Sequence, residues 1–85
     1  MKRIIDGPSD VDFMQLQDRW PMWPRLPLKR YHDHGLELGT IYGTLEGPLV
    51  PRVYLANIYE AIDDQTPSII YDRFEAIAAD GWRVD

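Results

Sequence analysis

Along the chain, the hydrophobic and polar pattern is organised around the stretch from Leu36 to Glu60, where β-forming residues concentrate in two runs. Leu36–Leu45 and Pro51–Tyr59 are rich in β-branched and aromatic residues, and Glu46-Gly47-Pro48 between them is turn chemistry, so the segment 36–59 is expected to be a β-hairpin. Leu36, Leu38, Thr40, Tyr42 and Thr44 share one face of the first strand, and Glu37, Gly39, Ile41, Gly43 and Leu45 share the other. Neither strand separates into an apolar and a polar side, so both faces of the sheet call for cover, from helices or from a second subunit. Gly39 and Gly43 lie on one face, two pleats apart, and leave room for a tryptophan ring across the backbone.

The flanking segments supply that cover. Lys2–Asp6 is expected as a short strand that Gly7-Pro8 ends. Ser9 or Asp10 can cap a helix over about 11–19, with Asp10 and Asp12 favourable at its positive end and Pro21 beyond its stop. Two partial stripes, Val11 with Met14 and Phe13 with Leu16 and Trp20, make it modestly amphipathic. Prolines at 21, 24 and 27 predict a polyproline-like segment that becomes an edge strand over 25–31, and His32–Gly35 reads as the turn into the hairpin. Thr66 as N-cap and Pro67 at the first helical position predict a helix over about 67–80, with Ile70, Phe74 and Ile77 as its apolar stripe and Gly81 just past its end. Trp82 and Val84 then alternate as a short final strand.

These elements define one domain over residues 1–85, of the α+β class: a small antiparallel sheet centred on the 36–59 hairpin, a C-terminal helix packed on one face and a short N-terminal helix on the other face or at an edge. At 85 residues a single core is possible with little stability to spare. The chain has no cysteine, so disulfides, thiolate nucleophiles and cysteine-based zinc sites are excluded. No apolar run approaches the roughly 20 residues that span a bilayer, and the start carries no signal-peptide core, so a soluble cytoplasmic protein without membrane contact is expected.

Charge is unevenly placed. The net charge is −5. Residues 1–31 hold six basic against four acidic residues, a balance of +2, whereas residues 32–85 hold three against ten, a balance of −7. An acidic body argues against general phosphate binding and leaves open a charge-driven contact with a basic protein.

Candidate chemistry is sparse. His32 and His34 are spaced to share a metal on an extended segment, but no third ligand stands at a matching spacing, and a polar turn explains them as well. Asp63 and Asp64 precede a predicted helix and are better placed to stabilise its end than to form a catalytic pair. Ser9 and Ser68 each stand where a helix is expected to begin, and no nucleophile, base and oxyanion set assembles, so the expectation is a protein that is not an enzyme and takes no cofactor or metal. The remaining candidate is the segment holding Trp20, Trp23, Arg25, Lys29, Arg30 and Tyr31, whose composition suits a protein-binding hot spot. Aromatics between cations also suit a single-strand nucleic-acid site, and tryptophans that fill the core with cations at its rim would satisfy the same pattern.

The run Trp23-Pro-Arg-Leu-Pro-Leu-Lys-Arg30, with Val53-Tyr-Leu-Ala-Asn57 further on, resembles small acidic single-domain proteins of actinobacteriophages, of the mycobacteriophage kind and mostly of unassigned function. That resemblance implies expression in the host cytoplasm and a host-protein target, and it transfers no catalytic or ligand residue. The expected function is therefore a non-enzymatic interaction module that binds a bacterial host protein or self-associates into an oligomer. The alternative is a nucleic-acid-directed protein, either a binder through the Trp/Arg segment or an acidic mimic of DNA.

Overall fold

The computed structural model describes residues 9–85, and the strand expected at Lys2–Asp6 lies outside the described residues. Ser9 caps the first helix, α1 (Asp10–Gln15), its hydroxyl accepting from the Asp12 amide at 3.2 Å, with Asp10 and Asp12 in the first turn. The helix is shorter than its pattern predicts. The Phe13 carbonyl is taken by the Leu16 amide at 3.1 Å and by the Trp20 indole at 2.8 Å, which closes α1 early. A 3₁₀ turn, Gln17–Arg19, follows and swings Trp20 into the core.

Trp20–Arg25 is a hydrogen-bonded turn, not the polyproline segment expected: the Trp23 amide reaches the Trp20 carbonyl and the Arg25 amide the Met22 carbonyl. The Trp23–Pro24 peptide is cis. The chain then enters β1 (Arg25–His32), which pairs along its whole length with β2 (Gly35–Tyr42) through a two-residue turn at Asp33-His34. Gly35 closes that turn at φ +117°, a conformation that disfavours other residues. β3 (Arg52–Tyr54) pairs with β2, β4 (Ser68–Ile70) with β3, and β5 (Arg83–Val84) with the far side of β1, all antiparallel, in the order β4-β3-β2-β1-β5.

The α+β class and the antiparallel 36–59 pairing therefore hold, and three details differ. First, β1 is an interior strand despite Pro27. The proline's missing donor lies on the β5 side, where only its carbonyl is used, accepting from the Asp85 amide at 3.0 Å. Second, the strand expected to reach Tyr59 stops at Tyr54. The Asn57 side chain accepts from the Tyr59 and Glu60 amides at 2.8 and 3.1 Å, a local turn that competes with the ladder.

Third, the helix expected over 67–80 is largely absent. Residues 68–70 form β4, held by Leu55 N–H to the Pro67 carbonyl and Tyr71 N–H to the Pro51 carbonyl, each 2.8 Å. Thr66 closes a turn with Asp63 instead of capping a helix. Only α2 (Phe74–Ala79) is helical. Its end matches expectation: Gly81, at φ +97°, donates to the Ala78 carbonyl and Trp82 to the Ile77 carbonyl, the paired bonds of a Schellman stop.

One face of the sheet carries the core. Leu26 and Leu28 of β1, Ile41 of β2 and Val53 of β3 meet Met14, Trp20, Phe74, Ile77 and Trp82. α1 packs beside α2 and β5, so of the two positions open to the N-terminal helix it takes the edge. The room at Gly39 and Gly43 is filled by tryptophan, as the pattern predicts. A Cβ at Gly39 would stand 2.9 Å from the Trp82 ring, and one at Gly43 would stand 2.7 Å from Trp23 Nε1.

Candidate interaction surface

Strand alternation divides the expected site residues between two faces. On the core side, Trp20 is 4% exposed and its indole is spent on the Phe13 carbonyl. Arg30 also points inward, 4.4 Å over the Trp82 ring, with Glu37 at 2.6 Å and Asp80 at 2.8 Å. The hydrogen bond to Glu37 raises the Arg30 pKa above its ordinary value. Tyr71 joins the same cluster, donating to the Asp80 carboxylate and accepting from Trp82 Nε1 at 3.0 Å. Burial, helped by the bond to Asp80, raises the Tyr71 pKa. This network ties α2, β1 and β2 together and consumes its charges in doing so.

Arg25, Lys29 and Tyr31 lie on the opposite face, in register with Tyr42, Leu38 and Leu36 of β2. Cover on this face comes from the loop after β3. Thr40, buried beneath it, donates its hydroxyl to the Ala56 carbonyl at 2.8 Å, and Arg25 clamps the loop through the Ile58 and Glu60 carbonyls at 2.7 and 2.6 Å. Arg25 also stands 5.6 Å from the Tyr42 ring centre. Lys29 is 3.5 Å from the Asp85 carboxylate.

The loop covers only part of the face. Beside it runs a groove of about 510 Å³ lined by Pro27 and Leu38 of the strands, Ile58 and Tyr59 of the loop, and Met22 and Asp85. Tyr31, Leu36 and Leu38 continue this apolar strip to the Asp33-His34 turn, all exposed. Trp23 is 41% exposed but sits away from this groove, where its indole donates to Gln17 Oε1 at 3.1 Å beside Leu45.

The six expected contact residues thus do not form one surface. Tyr31, Lys29 and Arg25 share the open face, Trp23 stands apart, and Trp20 and Arg30 are structural. Leu36, Leu38, Met22 and Tyr59 complete the surface and were not singled out by composition. The signal that finds two of them is the hairpin register, which sets Tyr31 opposite Leu36 and Lys29 opposite Leu38.

His32 and His34 stand at the turn with ring centres 5.9 Å apart, and His32 Nδ1 accepts from the His34 amide at 3.3 Å, which holds the turn. His32 Nε2 lies 3.8 Å from Glu37, a residue already committed to Arg30. Among the described residues no group of three or more metal-ligating side chains gathers, and no helix is long and apolar enough to cross a membrane. Comparison with family models, with curated proteins and with solved structures finds no match to this chain.

Proposed function

We propose that this chain is a non-enzymatic protein-interaction module whose contact surface is the uncovered half of the sheet, from the Tyr31–Leu36 rung to Tyr59. The observation that carries this reading is the continuity of exposed apolar side chains along one strand pair and into a groove. The largest apolar patch on a monomeric protein is typically about 300–600 Å² and often marks a functional contact. The ion cluster supports it too, since half-buried Arg30, Glu37 and Tyr71 and exposed Asp80 are engaged with one another and leave no poised acid, base or nucleophile among them. A single-strand nucleic-acid role has less behind it, because Trp20 is buried and both cations of the open face are already bonded, Arg25 to carbonyls and Lys29 to Asp85.

The resemblance to actinobacteriophage proteins directs the test to an actinobacterial lysate. A photo-crosslinking residue is placed at Leu36 on the open face and, in a separate sample, at Glu75 on the exposed side of α2. Adducts formed from position 36 and not from position 75, whether to another protein or to the chain itself, are the expected result. Equal labelling from both positions, or none from position 36, would sink the reading.

A further inference from the structure

We infer that the occupant of the open face is a second copy of this chain, placed by a two-fold axis that sets each groove against the other copy's Tyr31–Leu36 strip and Tyr59. This rests on the interaction-face reading and names its partner. Three observations carry it.

The first is charge. The chain carries −5 overall, so two copies repel wherever their acidic surfaces meet. The open groove is where that repulsion is least: the one charged side chain lining it, Asp85, is met by Lys29 at 3.5 Å, and Arg25 beside it is tied to the loop carbonyls of Ile58 and Glu60. A strongly basic or strongly acidic partner would find no complement on such a patch, whereas a neutral patch is compatible with itself.

The second is shape. An isologous contact needs a projection and a recess on the same patch, because each copy must supply both. Tyr59, 86% exposed, projects from the rim of a groove lined by Pro27, Leu38 and Met22, so the patch has both.

The third is area. At 72% and 86% exposure Tyr31 and Tyr59 present on the order of 300 Å² between them. Leu36, Leu38 and Met22, exposed at 54%, 40% and 47%, bring the apolar patch to roughly 500 Å². A stable interface uses about 800 Å² per partner with a polar rim, which Arg25, Lys29, Glu60 and Asp85 are placed to provide.

The test is sedimentation equilibrium of the full chain from micromolar to millimolar concentration, alongside Leu36→Lys and Tyr59→Ala. Both sites are exposed, so near-ultraviolet dichroism should report an unchanged fold. The expected result is a monomer–dimer equilibrium whose dissociation constant rises at least about tenfold in each variant. A monomer throughout the range would overturn the inference. So would a dimer insensitive to both substitutions but lost in Ile70→Pro, which would place the contact on the β4 edge. These results separate the two proposals: a monomer whose position 36 crosslinks to a different protein removes the second copy and keeps the interaction face.

Discussion

Gly39 offers the sharpest check on how the sheet and its cover fit. A Cβ at this position would lie 2.7 Å from Val53 Cγ1 and 2.9 Å from two atoms of the Trp82 ring, and both neighbours are fully buried. Neither can yield easily. Val53 is fixed in β3 between β2 and β4, and Trp82 is pinned by its indole bond to Tyr71 and by Arg30 stacked on its face. Overpacking of this kind costs about 1–3 kcal/mol. Gly39 lies outside the positive-φ residues, so alanine would also restrict the unfolded chain and return about 0.4–1 kcal/mol. With both neighbours pinned, the upper half of the overpacking cost applies, about 2–3 kcal/mol, so the net expectation for Gly39→Ala is a loss of about 1–2.6 kcal/mol, which for a domain of this size lowers Tm by roughly 4–21 °C.

Urea unfolding followed by tryptophan fluorescence measures the change, with the m-value serving to confirm that the transition is unaltered. Gly43→Ala is the internal comparison. There the closest atoms are Gln17 Oε1 and Trp23 Nε1 at 2.7 Å, side-chain ends near the surface that can move apart, so the loss should be smaller than at Gly39. A neutral or stabilising Gly39→Ala, or a larger loss at Gly43, would refute the account of Trp82 lying against bare backbone.

Further expectations concern the cap, the ion cluster and alkaline pH. Ser9→Ala removes the acceptor for the Asp12 amide and should cost about 0.5–2 kcal/mol in the urea midpoint, with Ser9→Asp restoring most of it. Glu37→Gln should destabilise while preserving shape, because Arg30 keeps a neutral acceptor but loses a charged one; a salt-insensitive, unchanged midpoint would count against the network. Tyr71 has its pKa raised in the fold, so the neutral phenol is the stabilised form. The stability it contributes is whole below the unfolded value of about 10 and is lost as pH rises through the higher folded value. Urea midpoints taken from neutral to strongly alkaline pH should therefore fall less steeply in Tyr71→Phe than in the parent, and parallel curves would remove Tyr71 from that role.

The parts of the fold that could be read in advance are those where local chemistry and tertiary pairing agree. The antiparallel pairing of 36–42 with 52–54 follows from β-branched and aromatic enrichment and from Gly47 at its turn, and Gly39 marks a place where a ring can lie close against the strand. Ser9 and Gly81 act as the cap and stop their types suggest. The candidate site was half legible for the same reason. Alternation assigns Lys29 and Tyr31 to one face and Arg30 to the other, but only the register with β2 shows that Leu36 and Leu38 extend that face and that Glu37 stands opposite Arg30 to pair with it.

The segment after Asp63 shows how a strong local signal loses, and why the loss matters for the surface. Thr66-Pro67 is a good helix start, but Ile69 and Ile70 are β-branched and weaken a helix by restricting χ1. A helix from Pro67 would also leave β3 without an outer neighbour, with the Pro51 carbonyl and the Leu55 amide unpaired. Pairing 68–70 with β3 satisfies both groups, each at 2.8 Å, and sets Ile69 beside buried Val53 on the core face. The helix is thereby shortened to Phe74–Ala79, whose two buried residues, Phe74 and Ile77, go to the core face together with Met14 of α1. Helical cover is then concentrated on that face, and the opposite one is left to a single loop held by Arg25 and Thr40. The uncovered strip at Tyr31, Leu36 and Leu38 is the direct consequence of that division, and it is the surface on which the proposed contact depends.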